Sequence, residues 1–337
     1  MSNKYQFHLL NKEDKYLWER YTHDLNLSVY FSHEYVSIIS ENYANPIKLL
    51  KFYNSDSGLI TIFTHRIKKN PFQDIFSPYG MDGIYFWGNN IDEVFEEFKI
   101  FLKKNNIVTF YLSSHPLYRL QDIFSANTRS AFILDLKIPI DILWKNIHEN
   151  HRYEINKFNK TKYDIIEDKD ELCKSILELY NETMIRVNAN SVYRFSENIL
   201  TNLIKSDISY SVGIKFNNKV QCILIFLGKN NWAEYYINAS TIQGKIATRF
   251  LIWHSMKKLK ELGFEQLNLG GGVTEGDTLQ QFKKRFGGNI SDFRSIKGVS
   301  SIDDYNLICS NYIIDSEESN YFPPYYKNKI EYSDDRN

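Results

Sequence analysis

The sequence predicts an α/β protein, with mixed α+β character, in which one architecture is used twice. Three observations lead there. Each half reads as two helical patterns, a run of strands, a helix and a closing strand. The length, 337 residues, suits two domains of ordinary size. In the second half the closing strand ends at Leu269, runs into Gly270, Gly271 and Gly272, and leads to a helix that opens at Asp277. A turn past the C-terminal end of a strand and ahead of a helix N-terminus is where open α/β sheets bind ligands.

In the first half, one helical pattern covers residues 12–25. A second follows Ser32, which can serve as its N-cap, and carries Tyr35, Ile38 and Ile39 on an apolar stripe. Strand-like runs follow at 47–52 and 59–65. Residues 74–83, DIFSPYGMDG, contain Pro78, Gly80 and Gly83 and are expected to form a turn-rich loop. Ile91, Val94, Phe95, Phe98, Phe101 and Leu102 recur at spacings of three and four, which predicts a helix leading to a strand at 107–112.

The second half repeats the order. Phe132, Leu134, Leu136 and Ile138 alternate as a half-buried strand. Asp141 can cap a helix bearing Leu143, Trp144 and Ile147, and a further apolar stripe follows at Ile155 and Phe158. A helix is expected over 170–186. Strands at 209–216, 220–227 and 232–239 are separated by Asn217-Asn218 and Asn230-Asn231, which predicts an antiparallel meander. A helix at 247–262 and a strand at 264–269 complete the pattern. The expected domains are 1–130 and 131–300, without a residue-level repeat, followed by a C-terminal tail at 301–337. That tail is polar and acidic apart from YFPPYY (321–326), where Pro323-Pro324 argues for an extended segment packed by its aromatics. The last dozen residues are expected to be mobile.

Composition narrows the function classes. Hydrophobic residues make up 43% and charged residues 24%, as in soluble globular proteins. Lys+Arg 41 balance Asp+Glu 41, which removes the electrostatic argument for broad nucleic-acid or membrane binding. Cys173, Cys222 and Cys309 have no ligand spacing, so neither a metal site nor a disulfide framework is expected. The N-terminal stretch is too short and polar for a signal peptide, and no run approaches the ~18 apolar residues of a membrane helix. The expectation is a cytoplasmic protein without membrane insertion.

Several segments carry a family likeness. They are SPYGMDG (77–83), HRYEINKF (151–158), VNANSVYRFSENIL (187–200), LGGGVTEGDTLQQFKKRFG (269–287) and YFPPYY (321–326). Together with the order of elements, they resemble the FemAB-like branch of the GCN5-related N-acetyltransferase superfamily. Its members carry two such domains around a shared cleft. The glycine block is the most specific of these segments. The resemblance implies transfer of an acyl or aminoacyl group to an amine, with acyl-coenzyme A (acyl-CoA) or aminoacyl-tRNA as donor. It also implies acceptors among cell-envelope precursors such as amino sugars.

Individual residues carry competing readings. Three adjacent glycines, Gly270, Gly271 and Gly272, give up more chain entropy than a structural turn requires, which points to a ligand-facing loop. Asp277 is expected first as a helix cap, with a catalytic base as its second reading. Lys283, Lys284 and Arg285 lie around Phe282 and Phe286, and the family motif turns Lys283 toward substrate, where an ammonium can hold a phosphate or an oxyanion. Arg152 is either a surface residue snorkelling over Trp144 or Tyr153, or a diphosphate anchor. Tyr193 is a candidate to present its hydroxyl, while Phe195 is expected in the core. Glu234 and Tyr236 share one face of a strand and Tyr235 takes the other. A surface cross-strand Glu is the plainer expectation for Glu234. The resemblance instead makes Glu234 a candidate base and Tyr236 a candidate acid. Gln243, Gly244 and Ala247 echo the pyrophosphate loop of acetyl-CoA enzymes with different spacing and one glycine fewer, and Lys245, Thr248 and Arg249 are candidate phosphate ligands there. His254, on the same helix, is expected at the edge of the core.

The functional expectation is an acyltransferase that moves an acyl group from acyl-CoA to an amine of an amino sugar or related precursor, without a metal. The alternatives are an aminoacyl-tRNA-dependent transferase and a non-catalytic sugar-nucleotide-binding scaffold.

Overall fold

The structure is a computed structural model, and it describes residues 4–67, 71–118, 126–189, 193–310 and 322–329. The chain folds into two units that are discontinuous in sequence. The first comprises Met1–Tyr21, Asn45–Thr128 and Arg294–Asn337; the second comprises Thr22–Ala44 and Arg129–Phe293.

In chain order the elements begin with β1 (Gln6–Leu10), α1 (Lys15–His23) and α2 (His33–Ile39). Ser32 caps α2 as expected, its hydroxyl accepting from the Tyr35 amide at 3.2 Å. Next come β2 (Lys48–Tyr53), β3 (Gly58–Ile67), β4 (Gln73–Phe76), β5 (Ile84–Trp87), α3 (Ile91–Lys104) and β6 (Ile107–Ser114). The expected loop at 74–83 therefore begins as strand, with Asp74 and Ile75 both buried in a strand that pairs with β3 on one side and β6 on the other. In α3 the buried residues Ile91, Val94, Phe98 and Leu102 form the stripe that the spacing predicts.

The chain continues with β7 (Ala126–Asp135), α4 (Ile140–Asn146), α5 (Glu149–Phe158), β8 (Asp164–Ile166), α6 (Lys169–Arg186) and α7 (Glu197–Lys205). Pro139, not Asp141, stands at the N-cap of α4, and Asp141 lies in its first turn. The meander is β9 (Ser209–Phe216), β10 (Lys219–Lys229) and β11 (Trp232–Ser240). Asn217 and Asn218 adopt φ of 53° and 62°, the left-handed pair that a two-residue hairpin of matching twist needs. The last elements are α8 (Thr248–Glu261), β12 (Gln266–Asn268), α9 (Thr278–Lys284), β13 (Asn289–Val299) and α10 (Ile302–Ser310). Pro324–Lys329 forms a short 3₁₀ turn instead of the expected extended segment, and the Tyr325 ring is fully buried. Residues 311–321 and 330–337, part of the expected tail, lie outside the described residues, as do 190–192 within the 187–200 segment.

In the first unit, β1, β2 and β3 run antiparallel, β3 also pairs with β4 and β5, β4 runs parallel to β6, and β6 pairs antiparallel with Arg294–Val299 of β13. Its core gathers Phe52, Phe63, Phe98, Phe110 and Leu112. In the second unit, β8, β9, β10 and β11 run antiparallel, β11 runs parallel to β12, and β12 pairs antiparallel with β7. Its core includes Phe132, Leu134, Phe226, Leu251 and Phe286. Among the described residues no helix is long and apolar enough to cross a membrane.

Candidate active site

The second unit contains an opening in its sheet. β11 and β12 pair only from Trp232↔Gln266 to Glu234↔Asn268. Beyond that point each strand follows its other neighbour. β11 stays with β10 as far as Ser240↔Cys222. The chain after β12 stays with β7, through bonds from the Leu269 amide to the Phe132 carbonyl (2.9 Å) and from the Phe132 amide to the Gly270 carbonyl (3.2 Å). The cause of the divergence lies in β11. Register passes from Phe226↔Tyr235 to Ile225↔Ile237, so Tyr236 is an extra residue, and such a bulge bends its strand.

Side chains collect at the point where the strands part. Glu234 is 2% exposed, not at the surface as the plainer expectation had it. Its Oε2 accepts from Asn268 Nδ2 at 2.8 Å and from the Tyr30 hydroxyl at 3.5 Å. Asn268 is oriented in turn by the Gly270 amide, which donates to its Oδ1 at 2.8 Å. Tyr236 lies on the same side, its hydroxyl 3.0 Å from that of Tyr35. The Tyr30 ring packs within 5.3 Å of Tyr35 and 6.3 Å of Tyr236, centroid to centroid. Phe195, buried as expected, stacks on Tyr236, and Tyr180 stacks on Phe195. Tyr193 is exposed, and its backbone carbonyl accepts from the Tyr180 hydroxyl. The result is a buried carboxylate walled by phenols and polarised by an amide.

Each glycine of the triplet has its own steric reason. Gly270 adopts φ of 69°, a left-handed conformation that side chains disfavour. A Cβ on Gly271 would stand 2.1 Å from the Ser130 carbonyl oxygen, and one on Gly272 would stand 2.3 Å from Asp277 Oδ1. The triplet thus lets the chain leave β7 and fold over the cap of α9. Asp277 forms that cap, accepting from the amides of Gln280 (2.6 Å), Val273 (2.6 Å) and Thr274 (2.9 Å). These bonds, that of Gln280 foremost, hold its carboxyl below the usual range, which makes it a weak base. Lys283, near the end of α9, is half-buried, with its ammonium 5.8 Å from the centre of the Tyr235 ring. Burial pushes its pKa down to about 8, and Asp277 opposes the shift.

The stretch ahead of α8 is more closed than a pyrophosphate loop. A Cβ on Gly244 would lie 1.8 Å from the Gln221 carbonyl oxygen, and the Gly244 amide donates to Thr241 Oγ1 at 2.8 Å. Lys245 is exposed, and Thr248 is buried 3.8 Å from Cys222 Sγ. Arg249 is half-buried, with its Nε donating to His151 Nδ1 at 3.3 Å and its guanidinium over the Phe282 ring. Arg152 donates Nη1 to the carbonyls of Lys145 (2.8 Å) and Ile147, which caps the C-terminus of α4. His254 sits at the core edge, stacked on Phe250.

Glu234, Tyr236 and Gly270 are therefore brought together through Tyr30 and Asn268, and Lys283 shares α9 with the Asp277 cap. The hydrogen bonds of Arg152 run to the end of α4 and that of the Gly244 amide to Thr241, and Lys245 is exposed. Sequence reasoning missed Tyr30, Tyr35 and Asn268. The signal for Asn268 was a polar residue between Leu267 and Leu269, directly ahead of the glycines. No cluster of three or more metal-ligating side chains occurs among the described residues.

Solved structures share this fold. FemX matches with a TM-score of 0.65 at 12% identity, over 90% of this chain and 99% of FemX. A conserved protein of unknown function from Bacteroides thetaiotaomicron VPI-5482 matches with a TM-score of 0.58 at 11% identity, over 86% of this chain and 98% of that one. L-PGS from Bacillus licheniformis matches with a TM-score of 0.54 at 12% identity, over 88% and 96%. The fold is the FemAB-like one expected from the sequence. No protein-family model matches the sequence, and no curated protein matches it.

Proposed function

We propose that the second unit is the catalytic half of an acyltransferase that acylates an amine. The observation that carries this reading is the parting of β11 and β12 immediately beside the buried Glu234. Parted strands leave backbone groups without a ladder partner, and a linear donor can pair with them in extended form. The carboxylate next to that opening is placed to take a proton.

In this reading the acceptor's amine, neutral, attacks the acyl carbonyl carbon. The C–N bond forms as the carbonyl electron pair moves onto oxygen. Glu234 accepts the proton that the nitrogen sheds, and collapse of the adduct breaks the bond to the leaving sulfur, which takes a proton from the Tyr236 hydroxyl or from solvent. Lys283, mainly protonated at neutral pH, stabilises the developing oxyanion or a donor phosphate. Arg249, with Lys245, offers positive charge near the start of α8 for the donor's phosphates. The donor is an acyl-CoA and the acceptor an amino sugar or related envelope precursor. Asp277, whose amide bonds define the turn, serves this site by shaping it.

A second reading, aminoacyl transfer from a charged tRNA, draws support from the likeness to FemX, whereas the zero net charge counts against it. Donor binding that weakens steeply with salt would favour tRNA, because polyanion contacts release many counterions. The test of the main reading is mass spectrometry of the purified chain incubated with acyl-CoA and a panel of amino-sugar nucleotides. Acylated product is the expected outcome. A chain that binds these ligands and yields no product with any donor is a scaffold.

A further inference from the structure

His151 is 1% exposed, yet it is polar and central to the packing around α9. Both ring nitrogens are engaged, and the two bonds define one tautomer. Nε2 lies 3.0 Å from the Phe282 carbonyl oxygen, so it carries the proton and donates. Nδ1 is therefore the lone-pair nitrogen, and it accepts from Arg249 Nε at 3.3 Å. The imidazole itself comes from α5. It packs against the rings of Phe282 (5.2 Å) and Phe286 (4.8 Å), and the Arg249 guanidinium covers the Phe282 ring at 5.3 Å. Two backbone contacts fix the same corner. The His148 amide donates to the Arg285 carbonyl at 2.8 Å, and a Cβ on Gly287 would stand 2.4 Å from the Asn146 carbonyl oxygen. Burial is the main reason the imidazole stays neutral, its pKa pushed down to about 4, and the nearby charges of Arg249, Arg285 and His148 act in the same direction.

One side chain thus joins three elements. It holds α9 through the residue immediately before Lys283, and it holds α8 through Arg249. Among the described residues, the Nη atoms of Arg249 take no hydrogen bond, so its two-nitrogen fork is left available while Nε is held. We infer that His151 is a positioning residue that, by holding Arg249 Nε, aims the guanidinium of Arg249 at the donor's phosphates. This rests on the acyltransferase reading, and it concerns donor binding and not the chemical step.

Two isosteric substitutions separate the two bonds. In His151→Asn the amide oxygen falls near the position of Nδ1 and can still accept from Arg249, while the bond to Phe282 is lost. In His151→Gln the amide nitrogen reaches the position of Nε2 and can still donate to Phe282, while the acceptor for Arg249 is lost. The full chain is titrated by calorimetry with coenzyme A and with inorganic pyrophosphate, each variant being checked for folding by thermal melt. Arg249→Ala is expected to weaken both ligands about tenfold, the loss of one charge-assisted contact. His151→Gln is expected to match it, and His151→Asn to recover most of the affinity. Nitrogen NMR of the unliganded protein should show the Nε2–H tautomer.

Equal affinities in the Gln and Asn variants, or an Nδ1–H tautomer, would overturn the assignment. So would a wild-type chain that binds neither probe while retaining Glu234-dependent turnover with another donor, and that result would spare the acyltransferase reading. The converse result, with the affinity pattern present and no turnover with any donor or acceptor, would remove that reading and leave His151 as the residue that orients an anion site.

Discussion

Both units place a buried acid on the last strand of an antiparallel run, opposite a polar residue of a parallel neighbour. In the first unit Asp74 of β4 faces Thr109 of β6; in the second Glu234 of β11 faces Asn268 of β12. The two sites then diverge. β4 and β6 stay paired from Gln73↔Ile107 to Phe76↔Tyr111, and the Ser77 amide extends the ladder by bonding to the Tyr111 carbonyl at 3.0 Å. Asp74 is saturated, accepting from the Thr109 amide (3.1 Å) and hydroxyl (2.6 Å) and from the hydroxyls of Tyr325 (3.0 Å) and Tyr326 (2.7 Å). The guanidinium of Arg66 covers the Tyr326 ring. The chain's own C-terminal aromatics therefore fill the space beside this acid. The helices differ as well. The first turn of α3 carries Asp92 and Glu93, which repel phosphate, whereas α8 has no acid in its first turn and starts with Thr248 and Arg249. The same architecture thus holds a structural acid in one unit and, in this account, a chemical one in the other.

The largest effect is expected at Glu234. Glu234→Gln preserves volume and removes the base, and turnover measured by product mass spectrometry should fall by about 10³-fold while the thermal melt stays near that of the parent. Lys283→Ala should lower turnover by about 10²-fold. The wild-type rate should also fall as pH rises through about 8, because Lys283 acts as a cation only while protonated and its pKa has been lowered to that range. Lys283→Arg should move that limb to higher pH; an unmoved limb would assign it to another group.

The first unit should respond in the opposite way. Asp74→Ala strands buried hydroxyls and should cost about 3 kcal/mol of stability in denaturant unfolding, with kcat per folded molecule little changed. Loss of kcat without loss of stability would erase the distinction between the units. Tyr236→Phe should have the smallest effect, about tenfold in kcat, since solvent can protonate the leaving group in its place.

Much of this fold was legible in the sequence because it depends on local periodicity. The Asn217-Asn218 hairpin, the apolar stripe of α3 and the Ser32 and Asp277 caps each follow from neighbouring residues. The decisive parts of the site depend on distant ones. Alternation places Glu234 and Tyr236 on one face but does not say what covers it, and the cover comes from Tyr30 and Tyr35, about two hundred residues earlier. The glycine triplet was legible as special for only part of the right reason. Ser130 and Asp277 pass too close to Gly271 and Gly272 to admit a side chain, and the approach of Ser130, far off in the chain, is one that no local pattern reveals. Arg152 showed the same limit, since the carbonyls it caps became visible only once α4 and α5 were in place.

The most direct measurement uses isotopically labelled acetyl-CoA, an amino-sugar panel and three proteins: the parent, Glu234→Gln and Asp74→Asn. The account predicts labelled product from the parent and from folded Asp74→Asn, and almost none from a well-folded Glu234→Gln. Undiminished product from Glu234→Gln would contradict it.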